Sequence, residues 1–177
     1  MPATNRRGMT GTGPGTAMRR AADLGRRTEY LAFSLAGEAY AVQIAHIAEI
    51  LKPLPITWVP RAPRNVVGVM SVRGRLVTVI DLRRRLSLRE SPMDRRTRIL
   101  LADLGAEGAS SGGPHQPHQS EQIGLLVDEV MQVYRLAENE IEPPTVLGGD
   151  QPAHIRGIGR PEGALLILLD LRPLLAS

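Results

Sequence analysis

The sequence predicts a mainly β protein made of two small β-barrels packed side by side, and three observations predict it. A stretch of nineteen residues occurs twice: 68–86, GVMSVRGRLVTVIDLRRRL, and 157–175, GIGRPEGALLILLDLRPLL, align without a gap. Seven positions are identical, namely Gly68/Gly157, Gly74/Gly163, Leu76/Leu165, Asp81/Asp170, Leu82/Leu171, Arg83/Arg172 and Leu86/Leu175. Each copy reads as an apolar strand, a glycine turn, a second apolar strand and an aspartate that opens a short helix. The other apolar segments are short, with the longest run, 164–169, far below the length needed to cross a bilayer.

Within each copy, the turn glycine (Gly74, Gly163) is placed where the backbone needs positive φ. Asp81 and Asp170 are placed as helix N-caps, their carboxylates accepting the first free helical N–H groups. Leu82 with Leu86, and Leu171 with Leu175, lie four apart and fold one helix face onto the sheet. Two such units in one short chain suggest a duplicated architecture.

Taken from the N-terminus, residues 1–28 carry six arginines against one acid, a net of +5. The whole chain is +4, so residues 29–177 come to −1. The leader is a disordered basic tail by composition, without an aromatic residue for base stacking or an amphipathic pattern for lipid. Residues 29–35 alternate as a strand, 36–38 turn, and 39–42 continue as its partner. Residues 43–51, QIAHIAEIL, place Ile44, Ile47 and Leu51 on one face of a helix, ended by Lys52 and the prolines at 53 and 55. A short strand at 56–59 carries Trp58, expected as a core or rim residue. A strand covers 97–104, and 105–122 is a flexible loop insertion at a hairpin tip. Residues 123–136 give two strands separated by Asp128-Glu129, and 138–144 form an acidic turn closed by two prolines.

The chain has no cysteine, which excludes disulfides and thiolate chemistry and fits a reducing compartment. No nucleophile elbow, zinc-protease helix, phosphate loop or dinucleotide fingerprint is present, and the four histidines are scattered. Asp81 and Asp170 are the nearest thing to a carboxylate pair, and capping accounts for both. The expectation is a non-enzymatic binding surface with no catalytic residue, cofactor or metal. A nucleic-acid-binding small barrel is the rival, weakened by the near-neutral globular part and by its five aromatic residues.

Four motifs, in order, resemble those of CheW-type chemotaxis coupling proteins. They are EYLAFSLAGEAYAVQIAHIAEIL, GVMSVRGRLVTVIDLRRRL, IGLLVDEVMQVYRLAENEIEPP and GIGRPEGALLILLDLRPLL, running from about Glu29 to Leu175. The second resembles the family pattern G-V-x-N-L-R-G-x-x-V-P-V-[IV]-D-L-R, with Ser71, Val72 and Thr78 in place of its asparagine, leucine and proline.

The resemblance implies two intertwined five-stranded SH3-like barrels with short connecting helices. Over 29–177 they divide roughly into 40–104 and 122–177 with a shared first strand, 29–36. It implies an adaptor joining the cytoplasmic tip of a chemoreceptor to the regulatory domain of a CheA-type histidine kinase, in the cytoplasm at the receptor array. The protein would be a monomer alone and an array component when assembled, with no nucleic-acid partner and no membrane insertion. Arg73, Glu49, Ile47 and Arg98 are the receptor-binding residues it implies, the first three at matched positions and Arg98 in a strand where relatives show an apolar groove residue. Gly68 and Gly74 match glycines that shape the same hairpin or serve kinase binding. A receptor-binding competitor that lacks kinase docking is the variant reading within the family.

Overall fold

The computed structural model describes residues 27–105, 122–147 and 152–176. The basic tail up to residue 26 and the insertion from 106 to 121 lie outside the described residues. The chain runs β1 (Arg27–Leu35), β2 (Glu38–Gln43), a 3-10 turn (Ile44–His46), β3 (Ile47–Leu51), β4 (Val66–Val72), β5 (Arg75–Asp81) and α1 (Leu82–Arg85). It continues with β6 (Arg98–Asp103), β7 (Gln122–Val127), β8 (Glu129–Ala137), β9 (Ile141–Glu142), β10 (Ile155–Gly159), β11 (Leu166–Leu169) and α2 (Leu171–Leu175).

The fold is mainly β, in two sheets with orders β3-β6-β7-β5-β4 and β8-β1-β2-β11-β10-β9. Each closes on itself. In the first, the chain beyond β3 returns at Thr57 to bridge Val69 of β4, with N–H to carbonyl distances of 2.8 and 2.9 Å. In the second, β8 pairs with β1, a 3-10 turn at Glu138–Glu140 bends the chain, and β9 pairs with β10. Counting β8 and β9 as one bent strand, both are five-stranded barrels.

The barrels exchange strands, so they do not divide as 40–104 and 122–177. β1 and β2 belong with β8 to β11, and β6 and β7 belong with β3 to β5. Both β1 and β2, not the first strand alone, therefore cross into the barrel built mainly from the C-terminal half. The exchange rests on parallel pairs, β7 on β5 and β2 on β11, which need long connections and so join distant parts of the chain.

The repeated hairpins share one register, 89 residues apart. Val66 pairs Ile80 and Val69 pairs Thr78 in one, while Ile155 pairs Leu169 and Ile158 pairs Ile167 in the other. A bulge precedes Gly68 and Gly157 alike. At that glycine the closing segment crosses the hairpin: a Cβ on Gly68 would run into the Thr57 carbonyl, and one on Gly157 would come within 2.6 Å of the Glu142 carbonyl oxygen. The repeated glycine is a close backbone approach, a requirement not visible in a single copy.

Three clusters of buried side chains hold the molecule together. Met70, Val77, Val79, Ile99 and Leu126 fill the first barrel, and Tyr30, Leu136, Leu166 and Leu168 fill the second. The largest cluster, with Phe33, Leu35, Val42, Leu82, Leu100, Leu125, Leu171 and Leu174, draws on both barrels and both helices. Each fully buried side chain of this size contributes roughly 1.5–3 kcal/mol, so the interface between barrels is core rather than a sliding contact.

The expected helix over 43–51 is a correction: only Ile44–His46 makes a 3-10 turn, and Ile47–Leu51 is a strand paired with β6. Burial alternates along it, half-buried at Ile47, Glu49 and Leu51 and exposed at Ala48 and Ile50. Isoleucine is stiff at χ1 and fits a pleated edge, and pairing with β6 outweighs the helical spacing. The expected strand at 56–59 reduces to the Thr57 bridge, and Trp58 is 70% exposed rather than packed. β1 begins at Arg27, so the last residues assigned to the tail are already paired with β8.

Candidate docking site

The first hairpin turns through two residues, Arg73 and Gly74, between the paired Val72 and Arg75. Both have positive φ, 49° and 80°, the geometry whose twist matches that of the flanking strands. The turn projects Arg73 across the seam where the barrel's two end strands, β3 and β4, diverge. Its guanidinium meets Glu49 of β3 in a two-pronged contact, Nη1 to Oε2 at 2.7 Å and Nη2 to Oε1 at 2.8 Å. The pair faces solvent, with side-chain exposures of 73% for Arg73 and 31% for Glu49. The hydrogen bonds from Arg73 hold the Glu49 carboxyl below its ordinary range, and Glu49 raises the Arg73 guanidinium in turn. A planar guanidinium held in two contacts by a carboxylate is fixed in its orientation at the solvent face.

The other expected site residues fall in different places. Ile47 is half-buried against the central cluster, and the exposed large apolar residue of β3 is Ile50 at 44%. Arg98 does not join Arg73; its Nη1 donates to the carbonyls of Arg95 and Thr97, each at 2.8 Å, tying down the loop that enters β6. Gly68 lies under the Thr57 crossing and Gly74 in the turn. Asp81 Oδ1 accepts from Arg83 N–H at 2.9 Å and Asp170 Oδ1 from Arg172 N–H at 3.1 Å, one at the start of each short helix.

A buried ionic clamp lies behind the hairpin, and sequence reasoning passed over it. Arg83 is 3% exposed and holds Asp81 through Nε (3.0 Å) and Nη2 (2.9 Å), and Asp128, Ser91 Oγ and the Ser91 carbonyl through Nη1 (2.7–2.9 Å). Asp128, between β7 and β8, also accepts from Ala36 N–H at 2.7 Å in the β1–β2 turn. Hydrogen bonding to Asp81 favours the charged guanidinium against its burial. The clamp joins the helix after the first barrel to the turns of the second, and Arg85 adds a 2.6 Å bond from Nε to the Leu174 carbonyl of α2. The matching Arg172 is exposed, so the two copies differ in burial at this position. The available signal is the Asp-Leu-Arg identity of the two copies, in which capping accounts for the aspartate and leaves the arginine unexplained.

Among the described residues, no group of three histidines or carboxylates is placed to hold a metal ion. No helix among them is long and apolar enough to cross a membrane.

Two closed barrels with exchanged strands, clamped into one body and displaying an ion-paired hairpin, make a module for docking. The chain belongs to the family of CheW-like domains, whose model matches residues 29–177. It is 30% identical over 146 residues to the chemotaxis protein CheW of Bacillus subtilis, covering 82% of this chain and 85% of that one. Helicobacter pylori CheW is 26% identical over 147 residues, 83% of this chain and 81% of its own. Protein FrzA of Myxococcus xanthus is 29% identical over 136 residues, 76% of each chain. Among solved structures, the scaffolding protein TtCheW of Thermoanaerobacter tengcongensis superposes with a TM-score of 0.71 at 27% identity, over 86% of this chain and 94% of that one.

Proposed function

We propose that the chain is a non-enzymatic adaptor coupling chemoreceptors to a CheA-type histidine kinase, in chemotaxis or a related motility pathway, at the cytoplasmic receptor array. The observation that carries this reading is the Arg73–Glu49 pair, an exposed, two-pronged contact at the tip of a rigid hairpin in a chain of the CheW-like family. Arg73 and Glu49 would meet polar groups on the receptor tip while β3 offers apolar contact beside them. The kinase's regulatory domain would dock on a barrel end, and the shared core would pass receptor geometry on to the kinase as a rigid displacement. Individual contacts are expected to be modest, with strength supplied by many copies in an array.

Pull-down with a purified kinase regulatory domain and a receptor cytoplasmic fragment tests the reading. The full chain should retain both together. Arg73→Glu should lose the receptor fragment, keep the kinase domain and shift the melting temperature by no more than a few degrees. A large drop in melting temperature would mean that Arg73 is a structural residue.

A further inference from the structure

We propose that the mouth of the second barrel binds a small free oxyanion, phosphate or carboxylate in class, between Arg156 and Arg172. A cavity of about 200 Å³ opens there, lined by Gln43, His46, Arg156, Leu169, Asp170 and Arg172. β2 leaves the barrel at Gln43 and turns through Ile44–His46 toward β3, while β11 ends at Leu169 and Asp170 caps α2. Arg156 sits in the bulge between Ile155 and Gly157, and a bulge re-aims the side chain it inserts. The mouth of a β-barrel is a common place for a ligand.

The duplication shows how this mouth differs from its counterpart. The parallel ladders of the two barrels share a register: Thr78 faces Ile123 in the first, and Ile167, 89 residues on, faces Tyr40 in the second. Counted along both ladders, Leu126 matches Gln43, and Asp128-Glu129 match Ala45-His46. The repeated hairpins match Val67 with Arg156, Asp81 with Asp170 and Arg83 with Arg172. Val67, Asp81, Arg83 and Leu126 line a cavity of about 360 Å³ at the equivalent place in the first barrel. There the Arg83 guanidinium is answered from within the chain by Asp81 and Asp128, each at 2.9 Å. In the second mouth two acids give way to Ala45 and His46, and the apolar Val67 gives way to a guanidinium. Arg156 gives one hydrogen bond to Glu138, from Nη2 at 3.1 Å, which leaves its other donors for a ligand. A bound oxyanion would stand where the first barrel supplies Asp128.

A second observation, independent of the repeat, marks the same cavity. The Tyr30 side chain is fully buried in the second barrel, and its hydroxyl has no hydrogen-bond partner among the described residues. Burial pushes the Tyr30 pKa up, while the charge of Arg156 and the nearness of Gln43 oppose that shift, so the hydroxyl lies beside two walls of the cavity. Gln43 is its cross-strand neighbour in the β1–β2 register, close by without completing a hydrogen bond. With its carbonyl turned to the hydroxyl, the Gln43 amide presents its NH2 group to the anion. Ligand binding then also satisfies a buried donor, which is costly to leave unpaired.

The test uses the full chain with inorganic phosphate, malonate and, at matched ionic strength, potassium chloride, followed by titration calorimetry and by melting temperature. Phosphate or malonate, the tighter of the two naming the class, should bind saturably and raise the melting temperature by several degrees, and chloride should do neither. Arg156→Gln should weaken binding roughly tenfold. Ala45→Asp installs the carboxylate of the first barrel and should abolish binding while the ligand-free melting temperature holds or rises. Tyr30→Phe should raise ligand-free stability and weaken binding severalfold, a split that a merely structural tyrosine does not give. Circular dichroism checks that each variant is folded. No saturable binding of either anion, an equal shift with chloride, or folded variants that bind like the unmodified chain would overturn the proposal. Such a failure would leave receptor coupling standing, since neither Arg73 nor Glu49 lines this cavity.

Discussion

Arg73 occupies the left-handed region at φ 49°, where a residue with a Cβ is strained and glycine is not. The hairpin turn would form more easily with asparagine or glycine there, so the side chain is retained at a cost to the backbone. Arg73→Gly should therefore leave the melting temperature unchanged or slightly raised while abolishing receptor binding, a separation that calorimetry and pull-down on the same sample would reveal. His154 makes a second prediction at this scale. Burial, and then the charge of Arg85, push its imidazole below the usual value. A depressed pKa means that the unfolded chain binds the proton more readily, so stability is fully present above about pH 6.5 and falls as pH drops through the lowered value. The melting temperature should decline between pH 7 and 5, and His154→Gln should flatten that decline; an unaltered slope in the variant would assign it to another group.

Among the elements, α1 and its clamp have the largest predicted energetic effect. Arg83→Met keeps the volume but leaves the partly buried Asp128 without its cation and the buried Asp81 with only Arg84 Nε at 3.9 Å, at an expected cost of about 3–5 kcal/mol measured by denaturant unfolding. Arg172→Met, in the equivalent place but exposed, should cost under about 1 kcal/mol. A similar loss in both would show that the helix, not the clamp, governs the effect. Gly157→Ala should also destabilise the second barrel strongly, because the added methyl meets a backbone carbonyl that cannot swing aside. How much of this could be read beforehand differs by element. The paired hairpins, the turn glycines and the short helices were legible because the repeat showed which residues each position requires. The stretch 43–51 was misread because Ile44, Ile47 and Leu51 satisfy a helical spacing while Ile47, Glu49 and Leu51 also satisfy a strand's, and only the partner β6 decides between them. The Arg83 clamp was hidden because Asp128 is 45 residues away and nothing local announces the pairing.

For the whole molecule, the exchange of strands has a mechanical consequence. Two barrels joined only by a linker could each bind a partner without either sensing the other. Here β1, β2, β6 and β7 cross between chain halves, and the largest apolar cluster draws on both barrels. That arrangement was not derivable from periodicity, since burial alternates in the same way whichever barrel a strand joins; it came from the family resemblance and is written in the parallel pairs. The Arg73–Glu49 contact was likewise legible only as two matched positions, because the turn and β3 meet across the barrel seam. The most direct measurement is kinase autophosphorylation in reconstituted arrays of receptor fragment, CheA-type kinase and this chain. With the unmodified chain, activity should rise severalfold and respond to receptor ligand, and with Arg73→Glu, folded and still holding the kinase domain, both should be lost. Equal stimulation by the variant, or none by either protein with cognate receptor and kinase present, would contradict the coupling role.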